Sequence, residues 1–359
     1  MINNEPPYVI NLFKRAAEKS VPLSVTFEIT TRCNFNCKMC YIHTCNHAEL
    51  EKNELSTETW KHLADEAKKA GCLFLLITGG EPLLRPDFPE IYTYCKELGF
   101  EVSINSNASL INDDIIELFK EYPPAKISVT AYGKDDETYK KVTERDNMFS
   151  RVEANIAKLK NAGIRVKMNI TASNYNSADI PSLFEFADKY SMPVQIACYL
   201  FPSARLNRET DRPTPEEAAY NSLIVSRLHY KDNYKEYCEF FKKHKFVRNA
   251  PVPAVGTPIL CRGGIAACWI SYDGKMTPCG MVPIPSANAL DGFESAWKYI
   301  NSEAKKITLP PECNGCEYIG ICDVCYAACY SETGRFDGVP LYKCKKVKEY
   351  CRLIKEENI

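Results

Sequence analysis

The stretch TRCNFNCKMCY, residues 31–41, contains three cysteines in a C-x3-C-x2-C spacing, directly after a short run of alternating apolar residues. One loop thereby offers three thiolates, from Cys33, Cys37 and Cys40, to a metal centre. Because a four-iron cluster usually takes one cysteine per iron, three cysteines leave one iron without a protein ligand. An open coordination position is typical of metal sites that do chemistry. The spacing therefore predicts a reactive iron–sulfur centre at the end of a strand.

A structural zinc site is the alternative interpretation of this loop. Such sites normally close with four ligands. His43, His47 and Cys45 follow within a few residues, and any of them could complete the set.

From residue 23 onward, segments with the two-residue period of strands alternate with segments bounded by helix caps and glycines. The predicted strands are 23–30, 73–78, 101–105, 126–130, 164–171 and 193–198, and the predicted helices are 56–70, 88–98, 113–122, 149–162 and 180–190. This alternation predicts an α/β fold with a parallel sheet and right-handed crossovers. Six units are too few for an eight-fold barrel, and reactive groups are expected at the carboxyl ends of the strands.

A Gly-Gly-Glu-Pro run at 79–82 comes directly after the second predicted strand. Two glycines allow the backbone to approach a ligand closely and to adopt positive φ. An ordinary turn would also use them, but the position at a strand's carboxyl end favours a ligand-binding role.

The cysteine spacing, the aromatic Tyr41 and the Gly-Gly-Glu-Pro run together resemble the radical S-adenosylmethionine (SAM) enzymes. The resemblance implies a partial (β/α)6 barrel and SAM chelated at the open iron of a [4Fe-4S] cluster. It implies reductive cleavage of SAM to a 5′-deoxyadenosyl radical, which abstracts a hydrogen atom from the substrate. The SAM-binding residues that it implies are Gly79, Gly80, Glu81, Ser106, Asn107, Ser128 and Arg145.

Ten of the eighteen cysteines lie between Cys261 and Cys351. Their spacing, Gly-x4-Cys followed by C-x2-C-x5-C and a last cysteine, resembles the SPASM domain, which holds two auxiliary [4Fe-4S] clusters. The resemblance implies one cluster on Cys261, Cys268, Cys279 and either Cys325 or Cys329, and a second on Cys313, Cys316, Cys322 and Cys344. With the loop cysteines, this makes three clusters. Zinc bound by the same residues is the alternative.

The predicted division of the chain is an N-terminal segment (1–20), the radical SAM partial barrel (21–201), a bridging region (202–255) and a cysteine-rich domain (256–359). Prolines interrupt the bridging region. Little long-range periodicity follows it, so we expect ligands rather than a large core to hold the last domain together.

Bulk properties exclude several classes of protein. The formal net charge is −1, which gives no global attraction to nucleic acid or to a membrane surface. The first residues lack the pattern of a signal peptide, so a cytoplasmic location is expected. Eighteen cysteines in a reducing compartment favour metal or redox chemistry over disulfides.

The resemblance implies a peptide or protein substrate, matured by crosslinking or epimerisation. The implied partners are a flavodoxin- or ferredoxin-type electron donor and a separate leader-recognition protein, because only about twenty residues precede the barrel. The alternatives are a dehydrogenase of a small alcohol or sugar, or a multi-cluster electron carrier without a substrate.

Cys198 ends the sixth predicted strand, so its thiol could face the barrel mouth. An epimerase needs a hydrogen donor there, and we predict this catalytic role for Cys198. A buried core cysteine is the alternative.

Overall fold

The computed structural model describes residues 6–42, 51–202, 212–243, 261–322 and 324–357. Its centre is one sheet in the order β6-β5-β4-β3-β2-β1-β7-β8-β9. The strands are β1 (Ser24–Glu28), β2 (Phe74–Thr78), β3 (Glu101–Ser106), β4 (Lys126–Ala131), β5 (Val166–Thr171), β6 (Val194–Ala197), β7 (Ala267–Ile270), β8 (Lys275–Thr277) and β9 (Ala287–Asn288). Strands β1 to β6 are parallel neighbours in chain order, which confirms the predicted α/β partial barrel.

Twelve α-helices lie among the described residues, and those between the barrel strands cover one face of the sheet. The twelve helices are α1 (Pro7–Glu18), α2 (Thr57–Lys69), α3 (Phe88–Glu97), α4 (Asp113–Glu121), α5 (Asp136–Thr143), α6 (Met148–Asn161), α7 (Ile180–Lys189), α8 (Pro215–Tyr230), α9 (Tyr234–Lys243), α10 (Phe293–Ala304), α11 (Tyr326–Thr333) and α12 (Leu341–Glu356). The predicted helices between the strands agree with the observed ones to within about two residues at either end. Helix α5 was not predicted, because its residues DETYKKVT show no long apolar period.

The two faces of the sheet differ in chemistry because side chains alternate along each strand. Val25, Phe27 and Ile29 face outward and pack against Trp60 and Leu63 of α2 in the largest core. Polar side chains, described below, occupy the alternate positions and line the inside of the partial barrel. The outer face therefore supplies stability, and the inner face presents polar side chains.

The first part of the cysteine-rich region is joined to the barrel by backbone pairing, so the barrel core, and not ligands alone, holds this part in place. Strand β7 pairs in parallel with β1, and Ile270 lies opposite Phe27. Ile270 and Trp297 of α10 belong to the same core as the barrel strands. Strand β7 has only four residues, which is too short to show a clear period in the sequence. The predicted boundary at residue 256 lies outside the described residues.

No helix among the described residues combines the length and the apolar character needed to cross a membrane.

Candidate active site and cysteine groups

The loop with Cys33, Cys37 and Cys40 follows β1 at the carboxyl end of the sheet. Two backbone hydrogen bonds fix it to the end of α5, from Asn36 N to Thr143 O (2.9 Å) and from Lys38 N to Val142 O (3.1 Å). The three cysteines lie in one apolar cluster with Phe35, Met39, Val142 and Leu200. The structure therefore brings the three predicted loop ligands together in a water-poor site.

Neighbouring donors face the loop thiols. Cys33 Sγ accepts a hydrogen bond from Phe35 N (3.4 Å) and lies 3.8 Å from the Asn107 side-chain amide. The Tyr132 hydroxyl bonds to Cys37. Burial raises the pKa of Cys33 to about 12 and raises that of Cys37 as well, so both are neutral thiols without a metal. A metal must displace these protons when it binds.

The Gly-Gly-Glu-Pro run lies against the segment that leads into the cysteine loop. Gly80 N donates to Thr30 O and Glu81 N donates to Arg32 O, both at 2.8 Å. A Cβ atom at Gly79 would lie 2.4 Å from Thr30 O, and one at Gly80 would lie 2.3 Å from Arg32 O. Only glycine permits this approach, which confirms the structural need for both residues.

Glu81 is fully buried and holds the ends of neighbouring strands together. Its carboxylate accepts hydrogen bonds from Ser106 Oγ (2.9 Å), Asn107 N (2.7 Å) and Leu83 N (3.1 Å). Desolvation raises the pKa of Glu81 to about 7, although these three donors act in the opposite direction. Glu81, Ser106 and Asn107 therefore position one another beside the cysteine loop.

The other two predicted SAM-binding residues lie at different distances from this loop. Arg145 Nε donates to Asn34 O at 2.7 Å, so the guanidinium lies on the loop itself. Ser128 is buried in β4, where it pairs with Asn105 of β3 on the inner face. Within the described part of the chain, the Ser128 hydroxyl forms no hydrogen bond with the loop.

The inner face of the sheet is a polar surface below the loop. Glu28 accepts a hydrogen bond from Trp269 Nε1 (2.7 Å), which links β1 to β7 across the inside of the barrel. Lys167 donates to Gln195 from β5 to β6, and burial lowers the pKa of Lys167. Asn169 Oδ1 is buried without a hydrogen-bond partner among the described residues. This surface suits a substrate with several polar groups.

Three C-terminal cysteines surround the Tyr326 side chain, and we call them the Tyr326 group: Cys261, Cys279 and Cys325. All three lie close enough to Tyr326 for their charges to raise its pKa. The Tyr326 hydroxyl lies beside Cys261 and bonds to its thiol. Three thiols around one buried hydroxyl fit the sulfur-rich surroundings of an iron–sulfur cluster, whose sulfur atoms accept hydrogen bonds.

Four further cysteines form a second group, the Cys344 group: Cys313, Cys316, Cys322 and Cys344. Each interacts electrostatically with at least one other member of the group. The set is the one expected from the sequence for the second auxiliary cluster. Four thiols from a loop and a helix start can close a metal site completely.

Cys329 and Cys325 were alternatives for one ligand position. The Cys261 thiol interacts with Cys325, whereas Cys329 lies between the two groups and interacts with Cys325, Cys313 and Cys322. The interaction between Cys261 and Cys325 therefore favours Cys325 over Cys329 as the ligand that accompanies Cys261.

Cys268 does not join either group, so its predicted role as a cluster ligand needs correction. It lies in β7 opposite Val25, and its side chain faces the outer core, 3% exposed. The cysteine near it is Cys72, whose thiol donates to Pro22 O. The alternation along β7 turns Cys268 outward and its neighbour Trp269 inward.

Cys198 is also placed differently from its prediction as a hydrogen donor at the barrel mouth. Its thiol bonds to Ser222 of α8 and interacts with Lys346 of α12. It lies in phase with Val194 and Ile196, which pack against the outer core. The strand alternation therefore turns the Cys198 thiol away from the lumen.

No three His, Cys, Asp or Glu side chains of the described residues are close enough together to hold a single metal ion. A four-iron cluster spreads its cysteine ligands more widely than one zinc ion does. His43, Cys45 and His47, the zinc alternatives, lie outside the described residues.

Several residues of the site were missed in the sequence. Tyr132 follows β4, and a strand-end position could have indicated it. Asn34 accepts from the Asn107 side chain at 2.9 Å. Tyr326 and Trp269 had no local signal, because their roles depend on contacts between distant segments.

Comparison with known proteins identifies the barrel. Residues 27–187 match the model of the radical SAM superfamily. The chain is 28% identical to an AdoMet-dependent heme synthase of Methanosarcina barkeri, over 89% of this chain and 95% of that protein. It is 23% identical to the sporulation killing factor maturation protein SkfB of Bacillus subtilis, over 84% of this chain and 70% of SkfB.

Among solved structures, the fold is similar to that of Streptococcus suis SuiB bound to its precursor peptide SuiA. The TM-score is 0.70 at 16% identity, covering 95% of this chain and 82% of SuiB. Residues 27–187 thus match the radical SAM superfamily, and the fold over 95% of the chain is similar to that of SuiB.

Proposed function

We propose that this chain, whose residues 27–187 form a radical SAM domain, abstracts a hydrogen atom from a peptide substrate held in the barrel. The observation that carries the proposal is the convergence of Cys33, Cys37 and Cys40 on the Gly-Gly-Glu-Pro run at the carboxyl end of the sheet. A peptide substrate is supported by the similarity to SkfB, which is named as a maturation protein.

The residues present fit the groups that this chemistry requires. Cys33, Cys37 and Cys40 would hold a [4Fe-4S] cluster, and Gly79, Gly80 and Arg145 would hold SAM beside it. Together the cluster and SAM supply a carbon radical that can remove a hydrogen atom from an unactivated carbon. The chain's own part is to exclude water around the loop and to orient the substrate on the polar inner face.

We propose three clusters in total. The Cys344 group would hold one auxiliary cluster on four thiolates. The Tyr326 group would hold the other on three, and the fourth position would be filled by substrate or by a residue outside the described part of the chain. A flavodoxin- or ferredoxin-type protein would supply electrons, and a leader-recognition protein would present the peptide.

The test begins with protein reconstituted anaerobically with iron and sulfide. With SAM and dithionite we expect 5′-deoxyadenosine, and a co-expressed peptide from a neighbouring gene should change mass. An electron carrier would form no 5′-deoxyadenosine. Turnover of a small alcohol but not of the peptide would instead indicate a dehydrogenase.

A second candidate function is a step in heme formation, because the Methanosarcina barkeri relative with that name matches over 95% of its length. Incubation with a panel of iron porphyrins, followed by mass spectrometry, separates the candidates. A porphyrin that loses mass only in the presence of SAM and reductant would replace the peptide proposal.

A further inference from the structure

Arg212 lies just before α8, and two aromatic rings cover its guanidinium group. The guanidinium carbon lies 3.6 Å from the centre of the Tyr342 ring and 5.5 Å from that of Tyr199. Such stacking holds a guanidinium in a fixed plane while its N–H edge remains available for hydrogen bonds. The aromatic pair thus fixes the direction in which Arg212 can donate.

Two donors of Arg212 are not satisfied, although its guanidinium also interacts with the Tyr342 hydroxyl. Its Nε and Nη2 atoms are buried without a hydrogen-bond partner among the described residues, while 16% of the side chain remains exposed. Buried charged donors without acceptors cost more free energy than almost any other polar defect. An acceptor that is not part of the described protein is therefore expected.

Glu332 is the acid nearest to Arg212, but it does not fill this position. Its carboxylate lies 3.7 Å from Nη2, beyond hydrogen-bond distance. The same carboxylate accepts hydrogen bonds from the Tyr199 hydroxyl (2.5 Å) and from Tyr342 N (2.9 Å). The Glu332 carboxylate is therefore held by Tyr199 and Tyr342, and it compensates only part of the positive charge of Arg212.

Further cations surround this site. Lys343 Nζ lies 5.5 Å from the centre of the Tyr199 ring. Lys346, one turn further along α12, is buried near Cys198 and Cys322, and burial lowers its pKa. Two acids, Glu332 and Glu217, offset these basic side chains, so the preference for an anion comes from the two unpaired donors of Arg212 and not from net charge.

The site lies at the junction of the barrel and both cysteine regions. Leu200 packs with Cys37 of the cysteine loop, and Phe201 packs with Cys279 and Cys325 of the Tyr326 group. Tyr199, which covers Arg212, directly precedes them. Because Tyr199 also interacts with Cys325, the Arg212 site lies beside the Tyr326 group.

We infer that Arg212 binds a carboxylate of the substrate through its Nε and Nη2 edge, and that Tyr199 and Tyr342 hold it in place. A planar carboxylate matches the two parallel donors of a guanidinium. The inference rests on the proposed function in assigning the carboxylate to the substrate. It narrows the substrate class to compounds that carry a carboxylate.

The binding test uses full-length protein reconstituted with iron and sulfide, without SAM or reductant. Glutarate is the probe, and glutaramide and inorganic phosphate are compared with it by isothermal titration and saturation-transfer NMR. We expect glutarate to bind and glutaramide not to bind. Arg212→Gln should weaken glutarate binding roughly tenfold or more, since two charge-assisted hydrogen bonds are lost.

Two further variants keep the test independent of folding. Glu332→Gln removes the negative charge beside the guanidinium, so we expect tighter glutarate binding, which a misfolded protein would not show. Arg335→Gln is the matched control, because Arg335 is exposed and paired with Asp337 (2.9 Å). It should leave binding unchanged.

Equal binding of glutaramide, unchanged binding in Arg212→Gln, or weaker binding in Glu332→Gln would overturn the inference. Tighter binding of phosphate than of glutarate would overturn it in favour of a phosphoryl group. Displacement of glutarate by an acidic peptide or by a porphyrin carboxylate would support the site and identify the source of the acid. Because no turnover is measured, an inactive enzyme cannot be mistaken for a missing site.

Discussion

Cys325 and Cys329 lie one helical turn apart at the start of α11, and Cys329 N donates to Cys325 O at 3.0 Å. Cys325 caps the helix beside Cys261, whereas Cys329 is fully buried within it. Helix geometry places two thiols four residues apart on the same face. Because Cys325 is the one that interacts with Cys261, we propose Cys325 as the ligand.

We predict that Cys325→Ala lowers the iron content of reconstituted protein by about one cluster and that Cys329→Ala leaves it unchanged. The reason is that only the Cys325 thiol lies with the rest of the Tyr326 group. Iron and sulfide analysis and the cluster absorbance provide the measurement. The opposite result for the two variants would reassign the ligand to Cys329.

Glu81 makes stability depend on pH in a defined direction. Burial raises the pKa of Glu81 from 4.5 to about 7, so the folded protein keeps this proton over a range in which the unfolded chain releases it. The folded state must therefore lose stability as pH rises from about 4.5 to 7. This pKa difference corresponds to a loss of roughly 3 kcal/mol in the free energy of unfolding between pH 4.5 and 7.

Unfolding of metal-free wild-type protein and Glu81→Gln, followed with urea at several pH values, checks this prediction. Glutamine does not titrate, so the stability of wild type relative to the variant should fall between pH 4.5 and 7. A difference that stays constant over this range would mean that Glu81 is ionised in the folded protein.

At the scale of elements, the Gly-Gly-Glu-Pro turn and the segment before the cysteine loop are locked together by main-chain contacts. We predict that Gly80→Ala abolishes SAM binding and lowers the melting temperature. The added Cβ would lie 2.3 Å from Arg32 O, and the backbone of one segment must move.

Gly163→Ala, at the end of α6, is the control for this change. It has positive φ but no atom within 4 Å of the added Cβ, so it should cost about 1 kcal/mol and leave SAM binding intact. Equilibrium dialysis with SAM and thermal melts compare the two variants. Normal SAM binding by Gly80→Ala would contradict the role of this close approach.

Strand β7 belongs to the barrel sheet although it comes from the cysteine-rich part of the chain. We predict that Cys268→Ala keeps the full iron content and loses some stability, because a buried outer-face side chain is shortened. Cys261→Ala should lose a cluster. Iron analysis with thermal melts separates these roles, and loss of iron in Cys268→Ala would restore it as a ligand.

The sequence predicted the elements with strong periodicity well, and the contacts between distant segments poorly. Strands β1 to β6 and the loop cysteines follow from local spacing, which needs no knowledge of the fold. Cys198 faces outward because of its position in the alternation of β6, and a shift of one residue would place its side chain on the opposite face. Arg212 has no motif around it, and its role depends on Tyr199, Glu332 and Tyr342, which lie far apart in the chain.

At the scale of the whole molecule, one sheet runs through both the barrel and the cysteine-rich region. We predict that a chain ending at Lys243 aggregates when expressed. Removal of β7 would leave β1 with an unpaired edge and would expose the core that Ile270 and Trp297 cover. Soluble yield and size-exclusion chromatography are the measurements. A soluble monomer with an unchanged melt would show that the barrel is independent.

The separation of an apolar outer face from a polar inner face has an evolutionary consequence. Residues such as Lys167, Asn169 and Gln195 contribute little to the packed layer between sheet and helices. Substitutions at these positions can therefore adapt the inner face to a different substrate without destabilising the fold. Directed libraries restricted to these positions should yield many soluble members, and this tolerance offers a practical route to retarget the enzyme.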